Sequence, residues 1–320
     1  MQISVIIPTL NAERYLPALL DRLHKQTVKA HEIIVVDSDS GDRTVAIARE
    51  NGAKVLQIPK ERFDHGGTRN MAASKASGDV LVFLTQDALP EDDRLLEALT
   101  RPLAEHPEVS SVCGRQVARP GAAVLERMTA ELNYPPEPQH KSLKDLDRLG
   151  IKLFFFTNVC AAYRREAFEA IGRFPEPIIL NEDMVITARF ILNGYTVVYQ
   201  SEARVIHSHH YTLRQQFRRN FDIGASLRIH NWILKHAKAE GQGVKLVKKQ
   251  MQQLLQSGDW RSVPRLVLEA AAKYSGYRLG LSYPAIPMFI RKKLSMYSFY
   301  WNREEHERAS YSVPLNHDER

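Results

Sequence analysis

The first 120 residues alternate strand and helix, and that order limits the fold more than any other feature of the chain. The β-branched run Ile3-Ser4-Val5-Ile6-Ile7 predicts a buried strand ending at Pro8. Asn11 suits the N-cap of the helix that follows, in which Leu16, Leu19, Leu20 and Leu23 recur at helical spacing. Residues 32–36 predict a second strand that stops at Asp37, and residues 43–50 a helix closed by Gly52. A third strand is predicted over 54–58, a helix over 68–76 ended by Gly78, and a fourth strand over 80–84. Residues 95–104 read as helix and 109–117 as strand. This β-α-β-α order implies an α/β fold with a mainly parallel sheet and helices on both faces.

The pattern loosens over 122–150, where Pro135-Pro136-Glu137-Pro138 marks an irregular loop. Residues 153–162 are apolar and strand-like. Asn181-Glu182-Asp183 precedes a helix over 184–192 closed by Asn193-Gly194, and 196–199 and 204–206 read as short strands. Beyond Thr212 the chain is helical and basic and holds Trp232, Trp260 and Trp301. The expected division is 1–120, 121–211 and 212–320.

Charge is unevenly spread. The net charge is +7, yet residues 201–300 alone hold 17 Lys/Arg against 5 Asp/Glu. A basic region of this kind invites anionic partners such as phospholipid or diphosphate. No RNA-binding aromatic motif or helix-turn-helix signature is present, so nucleic acid is not an expected partner. Cys113 and Cys160 lie in apolar runs without Cys-x-x-Cys spacing, which argues against a zinc site or disulfide framework and suits a reducing cytoplasm. Met1-Gln2-Ile3-Ser4-Val5 runs straight into a strand without a basic leader, and no apolar run is long enough to span a bilayer. The expected location is cytoplasmic, with peripheral contact to the inner face of the membrane as one use of the basic helices.

Ligands of open α/β sheets bind beyond the carboxyl ends of the strands. Polar residues gather there: Thr9 and Asn11 after the first strand, 37–42 after the second, Gln86-Asp87 after the fourth. Turn chemistry alone also favours such residues. The stretch Phe63-Asp64-His65-Gly66-Gly67-Thr68-Arg69-Asn70 joins two glycines and an arginine just before a helix, a setting in which free N–H groups attract an anion. Asp87 is a hard oxygen ligand for a divalent ion, and His207-Ser208-His209-His210 is the source of further ligands. His207 and His209 share a face if the preceding strand continues. Asn181-Glu182-Asp183 supplies a carboxylate either as a base or as a helix-capping charge.

Together these residues resemble the inverting family 2 glycosyltransferases of the GT-A fold. Ser4-Val5-Ile6-Ile7-Pro8-Thr9-Leu10-Asn11 is similar to that family's opening strand, and Val36-Asp37-Ser38-Asp39-Ser40-Gly41-Asp42-Arg43-Thr44 to its V-D-D-G-S-x-D-x-T stretch. Thr85-Gln86-Asp87-Ala88 stands where its D-x-D motif belongs, and Glu182-Asp183 where its E-D pair belongs. With Phe63–Asn70 and His207-Ser208-His209, the combination resembles a rhamnosyltransferase-like branch.

The resemblance implies roles. Pro8, Thr9, Asn11 and Asp37 line the nucleoside pocket, with Asp37 accepting from the pyrimidine N3–H. Asp39, Arg69 and Gln86 join the nucleotide set. Asp87, with His207 or His209, holds Mg2+ or Mn2+ on the diphosphate. Asp183 is the general base. Gln216, Arg218 and Arg219 are loosely similar to a diphosphate-contacting Q-x-x-R-W segment, with Asn220 in place of its tryptophan. Asn158, Arg164 and Glu182 are acceptor-side candidates. The implied donor is a dTDP-sugar, above all dTDP-L-rhamnose, with a UDP-sugar as the alternative. The implied acceptor is a saccharide or a polyprenyl-diphosphate-linked saccharide.

Two departures weaken parts of this assignment. Gln86 replaces the first acid of D-x-D, which leaves metal binding weaker or partly taken over by an arginine, and Ser38 replaces the second acid of V-D-D. They keep open a non-catalytic sugar-nucleotide-binding module. A dinucleotide oxidoreductase is disfavoured because Pro8-Thr9-Leu10-Asn11 carries no G-x-G-x-x-G.

Overall fold

A computed structural model describes residues 1–237 and 241–302. Its strands are β1 (Ile3–Thr9), β2 (Glu32–Asp37), β3 (Lys54–Gln57), β4 (Val80–Leu84), β5 (Leu89–Pro90), β6 (Val109–Val117), β7 (Gln139–Lys141), β8 (Cys160–Arg164) and β9 (Thr196–Ile206). They form a single sheet in the order β3-β2-β1-β4-β8-β6-β9-β5, with β7 pairing β9. The half from β3 to β4 is parallel throughout. Beyond it β8 runs antiparallel to both β4 and β6, while β6 and β9 are parallel. The parallel arrangement expected from the sequence therefore describes the first half, and the second half is mixed.

Helices α1 (Leu16–His24), α2 (Thr44–Glu50), α3 (Gly67–Lys75) and α4 (Leu95–Glu105) cross between strands of the first half. They are followed by α5 (Val124–Asn133), α6 (Leu146–Leu149), α7 (Arg165–Ala170) and α8 (Glu182–Leu192). The C-terminal region is α9 (Leu213–Ile229), α10 (Trp232–His236), α11 (Gln242–Gln256), α12 (Val263–Leu281) and α13 (Met288–Leu294).

The core lies on both faces of the sheet. Ile3, Val5 and Ile7 of β1 and Val80, Val82 and Leu84 of β4 join one apolar cluster; Ile6, Leu81 and Phe83 join the other. Alternation with a period of two, apolar on both faces, is what a doubly covered strand requires, and it explains why these runs show no polar face.

Three local expectations are corrected. Residues 153–162 do not form one strand: a 3-10 turn over Gly150–Phe154 precedes a loop, and β8 begins only at Cys160. An apolar run without periodicity fits either element. The two short strands over 196–206 are the single strand β9, bent where its register against β6 shifts between Gly114 and Arg115. Asn11 does not cap α1, whose N-cap is Tyr15. Asn11 adopts a left-handed backbone (φ 50°), and its side-chain oxygen accepts from the Gly41 N–H at 3.0 Å.

Candidate active site

The loops at the carboxyl ends of β1 and β2 form a closed network. Asp37 is fully buried, and both carboxylate oxygens are taken. One accepts from the Thr9 hydroxyl (3.2 Å) and the Ser40 hydroxyl (2.5 Å), the other from the Ser40 N–H (2.9 Å). Asp37 is thus engaged within the chain, where the expected partner is a pyrimidine N3–H. Pro8 is half-buried and Thr9 buried, while Asn11 and Asp39 are exposed, Asp39 with φ 65°. Gln86 belongs to this network: its side-chain amide accepts from the Leu10 N–H (2.8 Å) and donates to the Leu10 carbonyl (3.2 Å). A carboxylate could not make both bonds, so glutamine here braces the β1 loop against the end of β4.

The Gly-rich segment is also closed. Asp64 Oδ1 accepts from the N–H groups of Gly66 (3.0 Å) and Gly67 (2.7 Å), and Oδ2 from that of Ile178 (2.9 Å). The N–H groups that the sequence offered to an anion are thus occupied by the chain's own carboxylate. Asn70 exchanges two hydrogen bonds with the Phe174 backbone. A Cβ at Gly66 would lie 2.0 Å from the Pro175 carbonyl oxygen, so only glycine allows the segment to approach this closely. The motif therefore clamps the chain leading into α8. It also delivers Arg69 to Glu182 at 3.5 Å, with both side chains buried.

Beside this clamp lies a cavity of about 760 Å³, lined among others by His65, Arg69, Thr85, Asn158, Glu182 and Asp183. Asp183 sits in the first turn of α8, after Asn181 with φ 67°. Its oxygens accept from the N–H groups of Met184 (2.7 Å) and Asn158 (3.2 Å). Burial, followed by the neighbouring charge of Glu182, pushes its carboxyl up to about 7. Glu182 goes the other way: burial opposes its charge, but Arg69, His65 and the Asn158 side-chain amide (3.0 Å) outweigh that and keep it below its ordinary value. Two adjacent carboxylates are thus set to different protonation behaviour by their surroundings.

A second group meets the same cavity. Asp87 Oδ1 lies 3.5 Å from His207 Nε2, and Oδ2 lies 3.7 Å from His209 Nε2. One potential ligand atom from each of the three residues falls within 4.8 Å of the others. Burial opposes ionisation of Asp87, but the neighbouring His207 and then His209 hold it at about 2. His207 is buried, and its Nδ1 bonds Gln116 Oε1 at 2.9 Å. Gln116 donates its own amide to Tyr134 (2.6 Å) and Thr157 (3.2 Å), so the network assigns the proton to His207 Nδ1. Nε2 is left as a buried atom without a hydrogen-bond partner. A carboxylate and two imidazoles around an unpartnered lone pair fit a divalent cation. Residue 208 separates the two histidines, and both reach Asp87 although β9 has already ended at Ile206.

The remaining candidates divide. Asn158 is central, bonded to both carboxylates of α8. Gln216, Arg219 and Asn220 line the cavity, whereas Arg218 donates to the Lys293 carbonyl (2.7 Å) and is absent from its lining. Arg164 is spent on the carbonyls of Leu103, His106 and Val109 and does not reach the site. Sequence reading missed three participants. Arg119 lies 3.5 Å from Asp87 Oδ2 and over the Tyr15 ring, where it supplies the arginine that the loss of the first D-x-D acid led one to look for. Gln116 and Tyr297 are the others. Gln116 is the last residue but one of a predicted strand, a position that could have flagged it; nothing local marks Tyr297, which packs on His65 with ring centroids 4.7 Å apart.

Known proteins resemble this chain in sequence and fold. The sequence pattern of glycosyl transferase family 2 matches residues 4–172. The O-antigen chain rhamnosyltransferase RfbN of Salmonella typhimurium is 40% identical over 94% of this chain and 96% of its own length. WbaN of Salmonella anatum, with the same description, is 41% identical over 93% and 95%. Among solved structures, the mannosyltransferase PcManGT of Pyrobaculum calidifontis, in complex with GDP-mannose and Mn2+, covers 88% of this chain and 87% of its own with a TM-score of 0.59 at 19% identity. Residues 1–349 of Staphylococcus aureus TarS give 0.53 at 21% identity, covering 89% and 91%. The fold is therefore that of the sugar-nucleotide-dependent GT-A enzymes, and the chain belongs to glycosyl transferase family 2.

Proposed function

We propose that this glycosyltransferase moves L-rhamnose from dTDP-L-rhamnose, with inversion, to a hydroxyl of a saccharide or polyprenyl-diphosphate-linked saccharide in cell-surface polysaccharide synthesis. The observation that carries the donor is the end-to-end likeness to two O-antigen chain rhamnosyltransferases. The GDP-mannose and UDP-GlcNAc bound by structural neighbours concern those proteins and show how widely the fold varies its donor.

In this reading residues 1–120 form the nucleotide-sugar half, 121–211 the acceptor and catalytic half, and 212–320 a basic helical extension, of which 238–240 and 303–320 lie outside the described residues. Pro8, Thr9, Asn11 and Asp39 border the nucleoside, and Asp37 and Gln86 hold their loop in shape. Asp87, His207 and His209 would hold Mg2+ or Mn2+. Such an ion, when bound, supplies Lewis-acid neutralisation of charge on the departing diphosphate. Arg219 and Arg119 add fixed positive charge to the same side. Asp183 takes the proton of the acceptor hydroxyl while its oxygen attacks the anomeric carbon from the face opposite the diphosphate, whose C–O bond breaks. Arg69 lines the same cavity, where it keeps Glu182 charged, and Glu182 in turn tunes Asp183. A lipid-linked acceptor places the enzyme on the inner face of the membrane.

The test is release of nucleoside diphosphate from dTDP-L-rhamnose, UDP-glucose and GDP-mannose, each with Mg2+, Mn2+ or chelator, in the presence of a rhamnose-accepting oligosaccharide. Metal-dependent release of dTDP alone supports the reading. Preference for UDP-glucose overturns the donor, and binding of all three without turnover reveals a non-catalytic module.

A further inference from the structure

The C-terminal helices carry a surface that the transfer reaction does not use. α12 packs its glycine side against α9, and Leu266 near its start joins Leu254 of α11 and Leu125 and Met128 of α5. A Cβ at Gly276 would lie 2.3 Å from the Phe217 carbonyl oxygen, and one at Gly280 would lie 2.1 Å from that of Phe221, so the two helix backbones meet directly. At 3.6 residues per turn the opposite side of α12 shows Val267, Ala271 and Tyr274 in one row and Leu268, Ser275 and Leu279 in the next. α11 is anchored similarly, with Leu254 and Val247 packed against Leu125 and Met128 of α5. Its outer side shows Val244, Lys248 and Leu255. Trp260 lies in the short connection between the two helices and is 68% exposed; Tyr274 is 66% exposed. Among the described residues twelve large hydrophobic side chains are exposed, and eight of them fall between Val244 and Phe289. Eight in one stretch of helices exceed the scattered singles that would need no explanation.

Its charge is one-sided. Residues 242–294 hold ten Lys/Arg and two Asp/Glu. Glu269 is already paired with Arg265 and Lys273, and Asp259 accepts from Ser262. Lys245, Lys248, Lys249, Arg278, Lys292 and Lys293 have no acidic partner among the described residues. Lys152 adjoins Lys245 and Lys249, and burial together with their charge pushes its ammonium below the ordinary value. No helix among the described residues is long and apolar enough to cross a membrane.

We propose that the outer face of α11 and α12, with Trp260 at the turn between them, docks on an anionic phospholipid surface. Apolar and aromatic side chains enter the headgroup boundary, while lysines at the margin meet lipid phosphates. The inference deepens the lipid-linked acceptor reading and rests on it for its purpose. A second copy of the chain is a poorer occupant, because a two-fold contact would bring the same lysines against one another. A nucleic acid would leave the apolar rows uncovered.

The test is co-sedimentation of the full chain with vesicles of phosphatidylcholine alone or mixed with phosphatidylglycerol, run beside a transfer assay on a water-soluble acceptor. Binding is expected to the mixed vesicles only. Lys248→Ala and Lys249→Ala each weaken it by about fivefold. Leu268→Glu and Trp260→Ala weaken it further, and transfer to the soluble acceptor is unchanged in all four. Absence of binding by the wild type, or variants that bind as well as it does, overturns the proposal. So does a dimer that Leu268→Glu dissociates. Loss of transfer to the soluble acceptor in the wild type would instead count against the proposed reaction, leaving the vesicle result to be read alone.

Discussion

Two polar regions at the carboxyl edge of the sheet look alike in sequence and differ in state. Around Asp37 and Asp64 every carboxylate oxygen is engaged by the chain itself, through Thr9, Ser40, Gly66, Gly67 and Ile178. Around Asp87 and Asp183 more buried polar atoms stay unmatched: His207 Nε2, His65 Nε2, Arg69 Nε and Thr85 Oγ1, against Ser38 Oγ beside Asp37. Buried polar groups are normally satisfied, so the first region reads as scaffold and the second as a place completed by a ligand. Asp, Gly and Asn in a loop say only that a polar network exists; whether it is saturated depends on partners far along the chain.

The contrast is broken most directly at Asp183. Asp183→Asn should lower kcat by about a hundredfold to ten-thousandfold, the usual size of a lost general base, while nucleotide binding persists. Unchanged turnover would return Asp183 to helix capping. The next effect belongs to the cation group. Asp87→Ala and His207→Ala should abolish metal-dependent stabilisation in a thermal-shift titration with Mn2+. Gln116→Ala, which frees the His207 ring, should weaken metal affinity by about tenfold to a hundredfold. A Gln116 variant with wild-type affinity would show that the tautomer is fixed some other way.

The same contrast explains what was legible beforehand. β1, β2 and β4 stood out because β-branched residues bury both faces, and Asp87, Asp183 and the histidines stood out because each follows or opens a regular element. The state of each network was hidden. Asp64 is closed by Ile178, 114 residues away, and His207 is oriented by Gln116, 91 residues away. Arg69 was read as a nucleotide ligand because an arginine beside glycines suits phosphate; its ion pair with Glu182 was hidden because that partner comes from another segment. Arg164 failed for the same reason: three carbonyls, from α4, the turn after it and the start of β6, already surround it. Local propensity could not separate the 3-10 turn at Gly150–Phe154 from a strand, since both accept an apolar run.

A pH profile sharpens the catalytic side. Asp183 must be ionised to accept a proton, and burial with the Glu182 charge raises it to about 7. The value of kcat/KM should therefore fall as pH drops through about 7; an unperturbed aspartate would hold activity to about pH 4. Glu182→Gln removes a negative neighbour, which favours the ionised form of Asp183 and moves the acid limb to lower pH. A limb that stays in place in this variant would mean that burial alone sets Asp183, or that another group titrates.

The smallest catalytic effect is expected in the closed region. Asp37→Asn keeps the size of the side chain but gives up one acceptor oxygen facing the Ser40 N–H or the Thr9 and Ser40 hydroxyls, so a buried donor loses its partner. That should reduce stability by about 1–3 kcal/mol, read as a lower denaturant midpoint with unchanged slope. Turnover at saturating donor should change little, because no oxygen of Asp37 opens toward the cavity. The comparison fails if the variant keeps its stability and loses nucleotide affinity instead. In that case the loop opens on binding, Asp37 exchanges its serine and threonine partners for the base, and the region that looks saturated is a ligand site held closed by its own side chains.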